Sequence, residues 1–342
     1  MKAIIIKDFG DTDVLEVVND FPEPEVGPND VLVEIKARSL NRIEIVVRNG
    51  YPGIPVQLPH IPGPDGAGII KKTGTDVKDI KEGDRVVVYP VVIENEDEFT
   101  ERGDAFLSPL WKYVGLQKQG TYAELVAIPE TSVVKIPDNI DFAEASTLPT
   151  AGLTAYHGVK NVGKLKEGEY FLIWGATGGV GTFAIQIAKL LGGNVIAVTS
   201  KPDKVSKLKE LGADHVIDSS SEDVMEKVKE ITDGKGLDMV LDYVGPATFD
   251  TSFNMLKKGG RILLCGQLTG RETMFSIHMT YFKHISILGF YLGSREEMKE
   301  FIQLVSDGKV KPVIFDKMPM EKIKEAHNIL ENSDHFGKIV IE

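Results

Sequence analysis

The two halves of the chain carry different hydrophobic rhythms. From Met1 to about Ala145, short apolar runs are cut by Gly and Pro: AIIIKDFG, VLEVV, DVLVEIKARSL, GAGIIKKTG, GDRVVVYPVV and YAELVAIP. Runs of this length, rich in Val and Ile and bounded by turn residues, predict strands. After FAEASTLPTAGLTAYHGV the texture changes. YFLIWG, NVIAVT, HVID, LDMVLDYV and RILLCG read as strands, and helices are predicted through GTFAIQIAKLL, DKVSKLKELG and EDVMEKVKEIT. Strands alternating with helices in this way predict a parallel sheet covered on both faces.

The turn between the first strand and first helix of that series has its own chemistry. Ala176-x-Gly178-x-x-Gly181, preceded by Gly175, is a dinucleotide fingerprint with Ala at its first position. Gly178 lets the backbone approach a pyrophosphate, Gly181 lets helix and strand pack closely, and the helix N-terminus offers N–H groups to the phosphates. The end of the second strand discriminates between cofactors. An NAD site places Asp or Glu there for the ribose 2′-OH. Here the turn reads Thr199, Ser200, Lys201, with Lys204 as a further helper, so a 2′-phosphate and hence NADP(H) is expected.

Composition narrows the rest. With 342 residues, 42% hydrophobic and 26% charged, two domains are the natural expectation. A net charge of -12 without a run of Lys or Arg argues against nucleic acid or an acidic membrane as partner. Cys265 is the one cysteine, so no internal disulfide and no thiolate metal site is available. No apolar run reaches the roughly 18 residues of a spanning helix, and MKAIIIKDFG is too short for a signal core. A cytoplasmic enzyme is expected.

GATGGVGTFAIQIAK and KELGADHVID, with PGPDGAG, VKDIKEGDRV and GTYAELVAIPE before them, resemble the medium-chain dehydrogenase/reductase superfamily over nearly the whole chain. The resemblance implies an α/β architecture. A GroES-like β-rich barrel domain would span 1–147 and 290–342, and a Rossmann doubly wound parallel sheet 148–289. It also implies cofactor contacts from Thr154, from Ala176, Thr177, Gly178, Gly179, Val180 and Gly181, from Thr199, Ser200 and Lys201, and from Gly266. Homodimers or homotetramers are common in the family, often by pairing of Rossmann sheet edges.

The family divides into zinc alcohol dehydrogenases and zinc-free quinone and enone reductases. Where zinc members carry their catalytic ligands, this chain has Asn41, Pro64 beside Asp65, and Thr150, a set that does not suit zinc. His60 lies nearby in sequence and reads as a packed loop residue. The structural-zinc spacing C-x2-C-x2-C-x7-C falls on Glu94, Asp97, Thr100 and Ser108. Oxygen side chains suit a hard cation such as Ca²⁺, but a metal-free lobe kept for packing or assembly is the favoured reading.

Without a Lewis acid, alcohol oxidation leaves an alkoxide unsupported, whereas conjugated reduction spreads charge into an enolate or quinol oxygen. The expected function is therefore NADPH-dependent, zinc-independent hydride transfer to quinones or α,β-unsaturated carbonyls. Asn41 is the expected donor to the substrate oxygen and Tyr51, one residue early against the related pattern, a candidate acid. Asp65 and Thr150 line the emptied metal position, and Glu44 and Arg48 form a structural ion pair or act as catalytic groups. Alcohol dehydrogenase-like or 2-enoyl-CoA reductase activity, or nucleotide binding without turnover, remain as alternatives.

Overall fold

In the computed structural model, which describes residues 1–342, the β-rich rhythm of the N-terminal half becomes a seven-stranded sheet. Its spine is Asp30–Ser39, ten residues that pair antiparallel with Asp65–Thr73 on one side and with Leu125–Pro129 and the C-terminal strand Lys338–Ile341 on the other. Arg85–Val88 and Val133–Lys135 extend one edge, and Ile314–Met318 closes the other. Val31, Val33, Ile35, Ile70, Val86, Val88, Val126 and Ile128 alternate inward to form its core. The run GDRVVVYPVV is not one strand as expected. Pro90 has no N–H to donate to a ladder, so pairing stops at Val88 and resumes as Val91–Val92 against Lys112–Tyr113.

These elements belong to one compact unit, Met1–Leu153 with Leu292–Glu342; Thr154–Tyr291 is the other. The second unit is a six-stranded parallel sheet. Its spatial order is His215–Asp218, Asn194–Thr199, Tyr170–Ile173, Leu237–Asp242, Leu256–Leu264, Ser286–Gly289. Numbered along the chain this is 3-2-1-4-5-6, the doubly wound order of a Rossmann sheet. The five expected strands are all present. Among the elements not anticipated are the short edge strand Ser286–Gly289, the helix Ile277–Phe282, and the helix Pro246–Met255, whose apolar residues lack a clean helical period. No helix of the molecule is long and apolar enough to cross a membrane.

Candidate functional site

The glycine-rich turn follows Tyr170–Ile173, the strand beside which the order reverses, and opens the twelve-residue helix Gly179–Leu190. A ligand at this point meets the C-terminal ends of the strands at the topological switch. Gly178 is the helix N-cap, so the amides of Gly179, Val180 and Gly181 have no acceptor within the helix. A Cβ on Gly181 would lie 2.6 Å from the Ala176 carbonyl oxygen, so only glycine lets the helix seat this closely on the turn. The turn fits a dinucleotide pyrophosphate. Ala176 continues the sheet by donating its N–H to Val198 O at 3.2 Å.

At the end of the neighbouring strand, Thr199 is buried and its hydroxyl accepts from Lys201 N at 3.1 Å, which folds the turn that presents exposed Ser200. Lys201 is half-buried, and Lys204, expected as a helper, is almost wholly buried. Thr154 is buried in the short helix Leu153–Tyr156. Gly266 follows Leu256–Leu264, where a Cβ would press on Tyr243 at 2.7 Å.

In the first unit, three of the four expected catalytic residues meet on one carboxylate. Asp65 has no solvent exposure. Its Oδ1 accepts from the Thr150 hydroxyl at 2.6 Å and the Thr150 amide at 3.0 Å. Its Oδ2 accepts from Ser39 Oγ at 2.9 Å and Asn41 Nδ2 at 2.8 Å, with Lys338 Nζ at 3.5 Å. Lys338 is the member that sequence reasoning missed. The antiparallel pairing of Val340 with Ser39 carries its ammonium to Leu40 O and Asn41 Oδ1, across 297 residues of chain. Burial lowers its pKa, against the pull of Asp65 and Glu44.

Asn41 is thereby engaged at both ends. Its carbonyl oxygen faces Lys338, and its amide group donates to Asp65 and, at 3.4 Å, to Ser39 O. A substrate oxygen would have to displace one of these bonds before Asn41 could donate to it. Asn41 is also the N-cap of Arg42–Arg48, but the capping bond runs the other way, from Asn41 N to the Glu44 carboxyl at 2.9 and 3.0 Å. Glu44 is buried, and desolvation raises its pKa to about 8, with Asp65 reinforcing that shift and Lys338 opposing it. Tyr122 donates to it at 3.4 Å. Gly63, at φ +94°, lets the chain pass against the Tyr122 ring, where a Cβ would lie 2.3 Å from a ring carbon.

Of the two readings offered for Glu44 and Arg48, the ion pair does not form. Arg48 instead binds Glu331 at 2.6 Å, Gly10 O at 3.0 Å and His327 Nδ1 at 3.2 Å. One helical turn separates the two side chains into unlike surroundings. Burial, reinforced by Arg48, takes the His327 pKa down to about 3, which keeps the ring neutral. Tyr51, half-buried in the turn after Gly50, makes no hydrogen bond to Asn41, Asp65 or Thr150. The Thr150 hydroxyl meets a different tyrosine, Tyr113, at 3.1 Å. His60 is tied through its backbone to Ile6 and buried, with Nε2 unpartnered and its pKa lowered by burial.

Glu94, Asp97, Thr100 and Ser108 bond within their own segment or to nearby lysines. Asp97 caps the turn Glu98–Glu101 by accepting from Phe99 and Thr100 amides, and its second oxygen takes the Ser108 hydroxyl at 2.7 Å. Glu94 pairs with Lys112 and Lys118. No cluster of three His, Cys, Asp or Glu with metal-binding geometry occurs in the chain. Neither the Asp65 cluster, with its ammonium, carboxamide and hydroxyl, nor this lobe fits a zinc ion.

Comparison with known proteins follows the same division. Residues 179–307 match the model of the zinc-binding dehydrogenase domain, and residues 27–138 that of the alcohol dehydrogenase GroES-like domain. The chain is 34% identical to the 2-methylene-furan-3-one reductase of Solanum lycopersicum, covering all of this chain and 79% of the relative. It is 27% identical to the Homo sapiens quinone oxidoreductase, covering 100% and 97%. Among solved structures, an NAD-dependent alcohol dehydrogenase superposes with a TM-score of 0.95 at 35% identity, covering 100% and 99%.

Proposed function

The chain belongs to the medium-chain dehydrogenase/reductase superfamily of nicotinamide-dependent oxidoreductases, and we propose that within it the protein is a zinc-independent, NADPH-dependent reductase of enones or quinones. The observation that carries this reading is the cluster on Asp65. Where zinc relatives hold a Lewis acid, this chain holds a carboxylate, a carboxamide and a hydroxyl, knitted together by the Lys338 ammonium. Such a set supplies hydrogen bonds and fixed charge. An alkoxide needs more stabilisation than that, whereas an enolate or quinol, with its charge delocalised, needs less.

NADPH, when bound at the glycine-rich turn, supplies the hydride. The chain's own residues do the rest. The amides of Gly179, Val180 and Gly181 take the phosphates, and Thr199, Ser200 and Lys201 take the 2′-phosphate. Lys338 and Ser39 hold Asp65, and Asp65 fixes Asn41 and Thr150 in the site. The names of two relatives, a furanone reductase and a quinone oxidoreductase, agree with this acceptor class. We also assign the protein a homodimer or homotetramer, on the exposed apolar face that carries Met274 and Ile277.

The test is a panel of quinones, α,β-unsaturated carbonyls and secondary alcohols with NADPH and NADH, followed by absorbance. Faster turnover of an enone or quinone than of any alcohol is expected. Alcohol turnover without acceptor reduction overturns the reading, and cofactor binding with no turnover favours a non-catalytic protein. Lys201→Ala should cost about 1.5–3 kcal/mol of NADPH affinity, the worth of a charge-assisted bond, and leave NADH nearly unchanged. Equal losses would remove Lys201 from the 2′-phosphate site.

A further inference from the structure

The strands Tyr170–Ile173 and Leu237–Asp242 flank the point where the sheet order reverses, and two aromatic side chains tie their ends together in opposite directions. Trp174 follows the first strand. Its indole N–H donates to Ser252 Oγ at 2.8 Å, and Ser252 donates to Asp242 Oδ2 at 2.8 Å. Tyr243 follows the other strand, and its phenol donates back to the carbonyl of Gly175. We propose that Tyr243 is a positioning residue for the dinucleotide, holding the glycine-rich turn in the shape that receives the pyrophosphate. The inference rests on the family's nicotinamide cofactor and not on the acceptor class.

The local geometry is built around this bond. The Gly175 carbonyl also accepts from Gly178 N at 3.0 Å, which closes the turn, so its two lone pairs serve the turn and the tyrosine. Gly175 stands at φ +60°, and a Cβ on it would lie 3.0 Å from the phenol oxygen. A side chain there would meet both backbone strain and Tyr243. An ideal Cβ on Gly178, the N-cap of the phosphate-facing helix, would lie 3.6 Å from the same oxygen. The tyrosine therefore reaches both ends of the turn.

Its own anchorage is firm. Asp242 has no solvent exposure, and its Oδ1 accepts from Val244 N at 3.1 Å and Gly245 N at 3.0 Å. That fixes the chain on the far side of Tyr243. The turn is thus held from two sides, by Ala176 N on Val198 O of the second strand and by Tyr243 from the fourth. The amides of Gly179, Val180 and Gly181 are in place before a ligand arrives, which lowers the ordering cost of binding. The benefit falls on the pyrophosphate, which NADPH, NADH and ADP-ribose share. Lys201, by contrast, is expected to act on NADPH alone.

The experiment is titration calorimetry of the full chain with NADPH, NADH and ADP-ribose. Tyr243→Phe keeps the ring and removes the donor. It should weaken all three ligands by one common factor of about 3- to 10-fold, the worth of one hydrogen bond. In the acceptor assay the KM for NADPH should rise by that factor while kcat moves less than about 2-fold, the split expected when ground-state and transition-state binding are lost equally. Ser252→Ala opens the other tie and should weaken the three ligands alike, so it decides if Tyr243→Phe misfolds by circular dichroism. Unchanged affinities overturn the inference. So does a loss confined to NADPH, which would place Tyr243 at the 2′-phosphate, or a loss that spares ADP-ribose, which would place it at the nicotinamide. A wild type that reduces no enone or quinone overturns the reductase reading and leaves the calorimetric test of Tyr243 intact.

Discussion

Asp65 brings a carboxylate to a place with no solvent exposure, and Lys338, 3% exposed, is the cation that makes it tolerable. Removing one partner of such a pair leaves an uncompensated buried charge, at a cost of about 3–5 kcal/mol, whereas replacing both can be nearly neutral. Lys338→Met should therefore destabilise the chain by about that amount in chemical denaturation. The double variant Asp65→Asn, Lys338→Met should recover most of the loss. Additive losses would show that the two side chains do not act on each other. Glu44 gives a second handle. Its folded pKa of about 8 lies above the ordinary 4.5, so between these values the folded chain binds more protons than the unfolded one. Stability must then fall as pH rises through that window, by an amount on the order of a few kcal/mol. Glu44→Gln keeps an acceptor for Asn41 N and should flatten the slope of thermal midpoint against pH. An unchanged slope would mean that Glu44 is already ionised near pH 5.

At the scale of elements, the helix Gly179–Leu190 and its turn tie sequence to function most directly. Gly181→Ala puts a methyl 2.6 Å from the Ala176 carbonyl, a backbone atom that has little room to give. Overpacking of this kind costs about 1–3 kcal/mol. On the proposed reading the helix end also holds the cofactor phosphates, so the loss should appear in NADPH affinity by titration calorimetry as well as in the melting temperature. A change in melting temperature alone would separate packing from binding. This element was legible in the sequence because strand, turn and helix are contiguous and each glycine has a local reason. Asn41, Asp65 and Thr150 were legible as a set only by resemblance, and the structure draws them onto one carboxylate. Lys338 and Tyr113 were not legible. They reach the cluster through long-range strand pairing, at residues 338–341 and 112–113, where nothing in the local pattern marks a lysine or tyrosine as more than a strand residue. Arg48 went astray for the converse reason: proximity to Glu44 along a helix suggested a pair, while tertiary packing offered it Glu331 and His327.

For the whole molecule, the feature that the fold leaves open is the far edge of the Rossmann sheet. Ser286–Gly289 ends the strand order, so one side of its backbone has no ladder partner within the chain. The adjoining segment carries Met274 at 92% and Ile277 at 75% exposure, with Phe275, Tyr281 and Phe282 also exposed. The helix Ile277–Phe282 buries none of its residues. An open strand edge is a template for another strand, and natural proteins usually blunt it with charge, proline or a covering element. Here the neighbouring residues are apolar instead, which fits an edge meant to be covered. A second copy of the chain supplies the complementary element at no extra cost in sequence, because an antiparallel strand pair about a two-fold axis is self-complementary. The expected outcome is a dimer or tetramer by sedimentation velocity at micromolar concentration. Met274→Asp with Ile277→Asp should shift it toward monomer, since each charge would have to be desolvated in the interface. Because both residues are exposed in the isolated chain, the monomer's own fold should be little affected, and circular dichroism checks that. A double variant that sediments as wild type would place the interface elsewhere on the molecule.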